Sequence, residues 1–301
     1  MSEIDLRAIK SFITIVELGS FQQAADKLQY AQSTITTQIQ KLEMELGIKL
    51  FKRGKKIQLT EAGRIFSEQV SFIVRELESL QNTMADLVHG ESGVVRLGAM
   101  EPAASFRLPE ILAPFIDNYP NIKISIQVGN TCKLTEAIRK GEIDFAICST
   151  PDTGVGLYFE PLFSEPLILL VPSAHALAEK EEVFLQDLNK QRFLITSRIC
   201  PYRKKLETSL QEIGTSYSTI EISSIGALKY YVKANYGIAL VPSITVISPP
   251  AGTVTRTIRD FNFDLVTGIL RSSEKVSLGS AGRKLITFLK ERMQCSISSP
   301  S

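Results

Sequence analysis

Between residues 66 and 87 the apolar residues Phe66, Val70, Ile73, Leu77, Leu80, Met84 and Leu87 recur at alternating steps of four and three. That spacing puts them on one side of a single long helix, the stripe a two-stranded coiled coil needs. A helix lying on its own domain carries a wider stripe, and here Glu68, Glu76, Glu78 and Asp86 keep it narrow. Phe66, Val70, Ile73, Leu77, Leu80 and Met84 are therefore expected to form a dimer seam, with packing on the chain's own core as the alternative. His89-Gly90-Glu91-Ser92-Gly93 ends the segment as a hinge. Such a helix must connect two different modules, because the hydrophobic pattern before it and after it is not the same.

Before it the pattern is helical throughout. Leu6, Ile9, Phe12, Ile13 and Val16 share one face of a first helix, which Gly19-Ser20 breaks. Ser20 is a suitable N-cap for a second helix over Phe21–Leu28, whose Ala24 and Ala25 allow another helix to cross closely. Ile35, Ile39, Leu42 and Leu46 mark a third helix ended by Gly47. Its other face carries Gln32, Ser33, Thr34, Thr36, Thr37 and Gln40, which are uncharged hydrogen-bonding side chains suited to base edges in a major groove.

Whole-chain charge carries no information: 34 Lys+Arg oppose 32 Asp+Glu, a net of +2. Locally it does. Residues 1–56 hold nine Lys/Arg against six Asp/Glu, a difference of +3, and Lys49, Lys52, Arg53, Lys55 and Lys56 fall in a run without acids. A charge run is usually a solvated loop, but one beside a polar helix face suits phosphate. Two short helices, a tight turn and a basic loop compose a winged helix-turn-helix over residues 1–58, followed by the linker over 59–92.

The residues then carry a resemblance. Ser20-Phe21-Gln22-Gln23-Ala24-Ala25-Asp26-Lys27-Leu28 resembles the opening signature of LysR-type transcriptional regulators. The match continues through Gln32, Ser33, Ile35, Thr36, Gln38, Ile39, Leu42, Glu43, Leu46-Gly47, Leu50-Phe51, Arg53, Leu59-Thr60 and Ala62-Gly63. It implies DNA-binding roles for Ser20, Gln32, Ser33, Thr34, Thr36, Thr37, Gln40, Lys52, Arg53 and Lys55. It further implies a homodimer or homotetramer on double-stranded DNA, contact with RNA polymerase at target promoters, and a small-molecule effector. Two positions depart from the family: Ser33 stands where proline is usual and Thr37 where arginine is frequent. Ser33 can still satisfy amides at a helix start. Thr37 lacks the fork that grips guanine, so its relatives' base preference does not transfer.

After Val94 strands alternate with helices, the mark of an α/β unit with mostly parallel strands. Strands are predicted at 94–100, 122–128, 143–148, 166–171, 193–196, 218–223, 237–241 and 265–270, with helices at 106–118, 134–140, 203–213, 227–235 and 282–292. The resemblance implies a two-lobed domain over 93–301 similar to type 2 periplasmic binding proteins. Lobe one would take 93–163 plus 267–295, and lobe two 164–266. Ligands of open α/β sheets sit beyond the carboxyl ends of strands. That rule selects Met100, Glu101 and Ser105, then Asn130 and Thr131, then Thr196, Ser197, Arg198 and Cys200 as effector contacts. Relatives often bind small carboxylates here. Glu101 is odd company for an anion, which leaves a cationic or zwitterionic ligand equally open.

Cys200 precedes Pro201 at a helix start among Arg198, Arg203, Lys204 and Lys205, surroundings that favour thiolate. Some family members sense peroxide, but with a second cysteine nearby in the same lobe. Here Cys132, Cys148 and Cys295 lie outside it, so a structural or ligand-lining thiol is expected. The four cysteines form no CxxC pair, which argues against a disulfide frame or zinc site, and no cofactor is expected. His89 and His175 are the only histidines, and neither HExxH, GxSxG nor a P-loop occurs. Ser272-Ser273-Glu274-Lys275 has SxxK spacing without its companion elements. No enzyme is predicted. Charged residues near the start and the short apolar run at 166–172 predict neither a signal peptide nor a membrane span, hence a cytoplasmic protein. The alternative from another class is a solute-binding protein or enzyme with an accessory helical domain.

Overall fold

The structure, a computed structural model, describes residues 4–52, 57–89, 92–152, 156–263, 265–272 and 278–295. Arg53, Lys55 and Lys56 of the basic loop, Gly90 and Glu91 of the hinge, and residues 273–275 lie outside that set.

Three helices open the chain: α1 (Leu6–Leu18), α2 (Phe21–Leu28) and α3 (Gln32–Leu46). Asp5 caps α1, and Gly19 ends it with φ 63°, a left-handed conformation that glycine adopts without strain. Ser20 caps α2 as expected, accepting from the Gln23 amide at 3.3 Å. Ala24 and Ala25 are buried where α2 crosses its neighbours, and Phe12 stacks against Phe51 and Phe66 at 5.2 and 5.1 Å. The start of α3 differs from expectation. Its N-cap is Ala31, which has no side-chain acceptor, so Ser33 lies inside the first turn rather than capping it.

The chain then forms a small antiparallel loop, with Phe51 bridging Leu59 and the Lys52 amide donating to the Gln58 carbonyl at 2.8 Å. Thr60 closes this wing and starts the long helix α4 (Glu61–His89), accepting from the Gly63 amide at 3.0 Å. Gly63 packs so closely that a Cβ there would lie 2.1 Å from the Leu50 carbonyl oxygen. At 1.5 Å per residue, α4 is about 43 Å long.

The expected seam on α4 divides. Val70, 3% exposed, and Phe66 belong to the core of the N-terminal module, together with Val74. For these two the alternative reading is correct: the first turns of α4 lie on α1, which consumes their apolar face. Ile73, between those core residues but outside their cluster, is 48% exposed, Leu80 and Met84 farther along are 56% and 49% exposed, and Leu77 is half-buried.

The remaining chain builds two sheets with helices on both faces. The first has the order β2-β1-β3-β10-β4, from β1 (Gly93–Ala99), β2 (Ile122–Val128), β3 (Phe145–Ser149), β4 (Leu157–Glu165) and β10 (Leu265–Ser272). Helices α5 (Leu108–Asn118) and α9 (Ser280–Cys295) pack on one face through Leu112, Phe115, Leu285 and Leu289. On the other, α6 (Thr131–Lys140) packs through Leu134, Ala137 and Ile138. The second sheet comprises β5 (Leu167–Pro172), β8 (Ala239–Pro242) and β9 (Thr253–Arg256) in the order β8-β5-β9. A Phe193–Ile238 bridge extends it to the parallel pair β6 (Arg192–Ile195) and β7 (Ser218–Glu221). Helices α7 (Pro201–Glu212) and α8 (Ile225–Lys233) cover opposite faces.

The two sheets repeat one plan: β2, β1, β3 and β4 run one way with β10 against them, and β7, β6, β8 and β9 run one way with β5 against them. Strands β10 and β5, which run antiparallel to their neighbours, each follow a passage from the other sheet. Among the described residues one strand in each unit runs against the rest, so the expectation of mostly parallel strands holds. β4 and β9 were not predicted. Their apolar residues are interrupted by Glu160 and Pro161 in one case and by alternating threonines in the other.

Candidate DNA interface and effector cleft

Helix α3 presents Gln32, Ser33, Thr34, Thr37 and Gln40 on its exposed side, while Ile35, Ile39 and Leu42 are buried beneath. Thr36 is half-buried, its hydroxyl donating to the Gln32 carbonyl at 3.0 Å. The Thr37 hydroxyl likewise donates to the Ser33 carbonyl at 2.9 Å. Its one proton is thus used inside the helix, leaving a methyl group and oxygen lone pairs facing outward. With Ala31 as cap, the first amides of α3 have no side-chain acceptor and carry the positive end of the helix dipole. Ser20 stands half-buried at the start of α2, and Lys52 is exposed at the base of the wing.

One residue of this region has a role that its place in the sequence pattern does not reveal. Glu43, 7% exposed, accepts from the Leu50 and Phe51 amides at 2.8 and 3.2 Å and from Lys49 Nζ at 2.6 Å. It ties α3 to the root of the wing. Burial raises its pKa toward the neutral form, but Lys49 and the two amides outweigh that and hold the carboxyl below its ordinary value of 4.5. Lys49 is therefore spent on Glu43, not on the outer charge of the wing. A buried acid cannot be told from a surface acid by composition, although its heptad-like position beside Leu42 was a signal.

Behind the helices, the selected loops fall at strand ends, as the rule for open sheets requires. In the first lobe, Met100 Sδ accepts from the Ser149 amide and lies 3.9 Å from Thr131 Oγ1, which itself is 2.8 Å from Ser149 Oγ. Met100, Thr131 and Ser149 thus form one cluster. Ser149 closes β3, and applying the strand-end rule to that strand would have found it. Beneath them Cys148 is buried, which pushes its thiol up to about 12, against a smaller opposing pull from Thr131. Ser105 donates to Glu101 Oε1 at 2.6 Å, whereas Glu101 Oε2 is buried with no partner among the described residues. Asn130 accepts from the Lys133 amide at 2.9 Å and caps α6.

In the second lobe, Cys200 caps α7 without a side-chain bond, Ser197 is half-buried and Arg198 is exposed. Thr196 Oγ1 is buried and lacks a hydrogen bond of good geometry among the described residues, although the Tyr202 phenol approaches it. Burial, with the neighbouring Cys200, holds that phenol well above its usual range. The cationic surroundings expected for Cys200 are altered, because Arg203 turns away. Its guanidinium donates to the Thr196 carbonyl at 2.7 Å and pairs with Glu207 and Glu221.

Between the lobes lies a π-helical turn, Ala103–Arg107. Its Arg107 donates twice to Glu165 Oε2, at 3.1 and 2.7 Å, and rests over the Phe163 ring at 4.4 Å. Glu165, 3% exposed, is the last residue of β4 before the chain passes to the second sheet. Phe106 in turn lies under Lys229 of α8, at 5.7 Å. The turn that follows Glu101 therefore touches both the crossing strand and the opposite lobe.

Comparison with known proteins agrees with this architecture. Residues 6–64 match the family described as bacterial regulatory helix-turn-helix protein, lysR family, and residues 89–294 match the LysR substrate binding domain. The HTH-type transcriptional regulator YtlI of Bacillus subtilis is 37% identical over 97% of this chain and 95% of its own length. The regulator GltR of the same organism is 31% identical over 81% and 82%. Among solved structures, a full-length OxyR from Pseudomonas aeruginosa shares the fold with a TM-score of 0.74 at 20% identity, covering 98% of this chain and 96% of that one. CbnR, a LysR family transcriptional regulator, gives 0.67 at 19% identity over 98% and 100%. With a helix-turn-helix that matches over its whole length and an effector-binding domain behind it, this chain belongs to the LysR family of transcriptional regulators.

Proposed function

We propose that α3 enters the major groove with Gln32, Ser33, Thr34, Thr37 and Gln40 toward the base edges. Ser20, Lys52, Arg53 and Lys55 contact phosphates, and Thr36 supports the helix from its flank. The observation that carries this reading is the exposed, uncharged polar face of α3 over a buried apolar one, beside a basic wing. The protein works as a homodimer or tetramer, joined by the exposed part of α4, in the cytoplasm and in contact with RNA polymerase at its promoters. It performs no catalysis of its own. No helix among the described residues is long and apolar enough to cross a membrane. The module boundaries are 1–58, 59–92 and 93–301, with lobe one at 93–163 plus 267–295 and lobe two at 164–266.

Effector binds between the lobes, at Met100, Glu101, Ser105, Asn130 and Thr131 on one side and Thr196, Ser197, Arg198 and Cys200 on the other. Ligand shifts the DNA-binding heads only by preferring one lobe arrangement. The turn that joins Glu101 to Glu165 and α8 supplies a physical connection for that preference. Cys200 lines the cleft and has no switching role.

The wing tests the phosphate assignment. Alanine at Lys52 and Arg53 weakens binding to operator and unrelated DNA by similar factors and makes the salt dependence shallower, by about one unit of slope per lost contact. Equilibrium titrations at several salt concentrations measure this. An unchanged slope, with loss confined to one sequence, rejects it.

A further inference from the structure

We propose that the effector carries a protonated amine and that the Glu101 carboxylate receives it, an inference that rests on the effector reading above. Glu101 follows Met100 at the carboxyl end of β1, where the Thr131 and Ser149 hydroxyls also converge. Ser105 fills Oε1 at 2.6 Å and fixes the carboxylate's orientation, while Oε2 is buried with no partner among the described residues. A buried carboxylate oxygen left without a donor is costly, so this position is built for a donor that arrives from outside.

Two cations, one on the turn that follows Glu101 and one on the helix facing it, are engaged by other groups. Arg107 gives Nε and Nη2 to Glu165 and its face to Phe163. Lys229 lies over the Phe106 and Tyr230 rings, at 5.7 and 5.6 Å. A metal ion does not suit the place, since no group of three His, Cys, Asp or Glu side chains gathers among the described residues. An anionic group placed at Oε2 is repelled. A neutral hydroxyl can donate one hydrogen bond, but an ammonium adds a charge-assisted bond and Coulomb attraction in a partly dry site. The chemistry therefore selects an amine.

The test uses the full-length chain, thermal shift and calorimetry. The probes are the free L-amino acids and linear aliphatic amines, each matched with its N-acetyl and hydroxy counterpart. The expected result is stabilisation by a free-amine member and affinity weaker by about tenfold or more for its N-acetyl counterpart. Glu101→Gln loses a similar factor, and Glu101→Asp, which keeps the charge, restores part of it. The proposal is overturned if the N-acetyl or hydroxy counterpart binds wild type as tightly as the amine. It is also overturned if a folded Glu101→Gln binds the amine like wild type. The comparison of counterparts on wild type decides the matter even where a variant does not fold. Stabilisation by amine-free compounds alone rejects the amine and leaves effector binding in place, whereas a panel in which nothing binds contradicts the effector reading itself.

Discussion

Aspartate at both Leu80 and Met84 converts the assembly to a smaller species in sedimentation and lowers affinity for a two-half-site operator by about two orders of magnitude or more. The two side chains are 56% and 49% exposed in the single chain, so the substitutions leave each protomer's own core intact. In a paired helix they bury charge against an apolar partner, which is strongly unfavourable. Affinity then falls because one head on one half-site no longer brings the second with it. Val70 is the informative control. It is buried against the N-terminal module, so Val70→Asp unfolds that module instead of separating the protomers. Unchanged oligomer size in the Leu80/Met84 variant assigns the assembly contact to the C-terminal domains.

Glu43→Ala destabilises the N-terminal module by about 2–5 kcal/mol, because the Leu50 and Phe51 amides and Lys49 lose their acceptor. Chemical denaturation measures the loss. The same carboxyl gives the module a pH dependence of known sign. Its pKa is lower in the folded state than the ordinary 4.5. Its contribution to stability is therefore fully present above that value and disappears as pH falls through 4.5 toward the folded-state constant. Glu43→Ala flattens that acid limb. A variant that keeps the wild-type slope between pH 5 and the acid transition contradicts the assignment.

The parts of the fold that were legible in the sequence are those where local physics decides. Gly19-Ser20, the paired alanines and Gly47 fix the turns and crossings of the helical module within a few residues. What escaped depends on distant partners. Phe66 and Val70 carry the right spacing for a seam, but spacing does not say whether a helix's own domain has already covered it. The Arg107–Glu165 pair joins residues 58 apart, and neither residue announces the other. Ser33 shows a subtler failure: serine is a good cap, but here the helix begins earlier, at Gln32, and places it in the first turn. Among the candidate effector contacts, the strand-end rule selected Met100, Glu101 and Thr131, which lie just past the ends of strands. It does not reach Ser149, which clusters with Met100 and Thr131 at the end of another strand, nor Tyr202 beside Thr196, because nothing local distinguishes a buried phenol.

Selection of the full-length protein on randomised DNA, with wild type and Thr37→Arg side by side, tests the central claim most directly. Wild type is predicted to enrich an inverted repeat, one half-site for each head of a dimer. Thr37→Arg is predicted to add guanine at one position in each half-site. Its guanidinium can reach O6 and N7, where the native threonine, its hydroxyl held by Ser33, cannot, and one such contact discriminates by about 1–3 kcal/mol. Enrichment of no symmetric motif by wild type, or identical motifs from both proteins, contradicts the placement of α3 in the major groove.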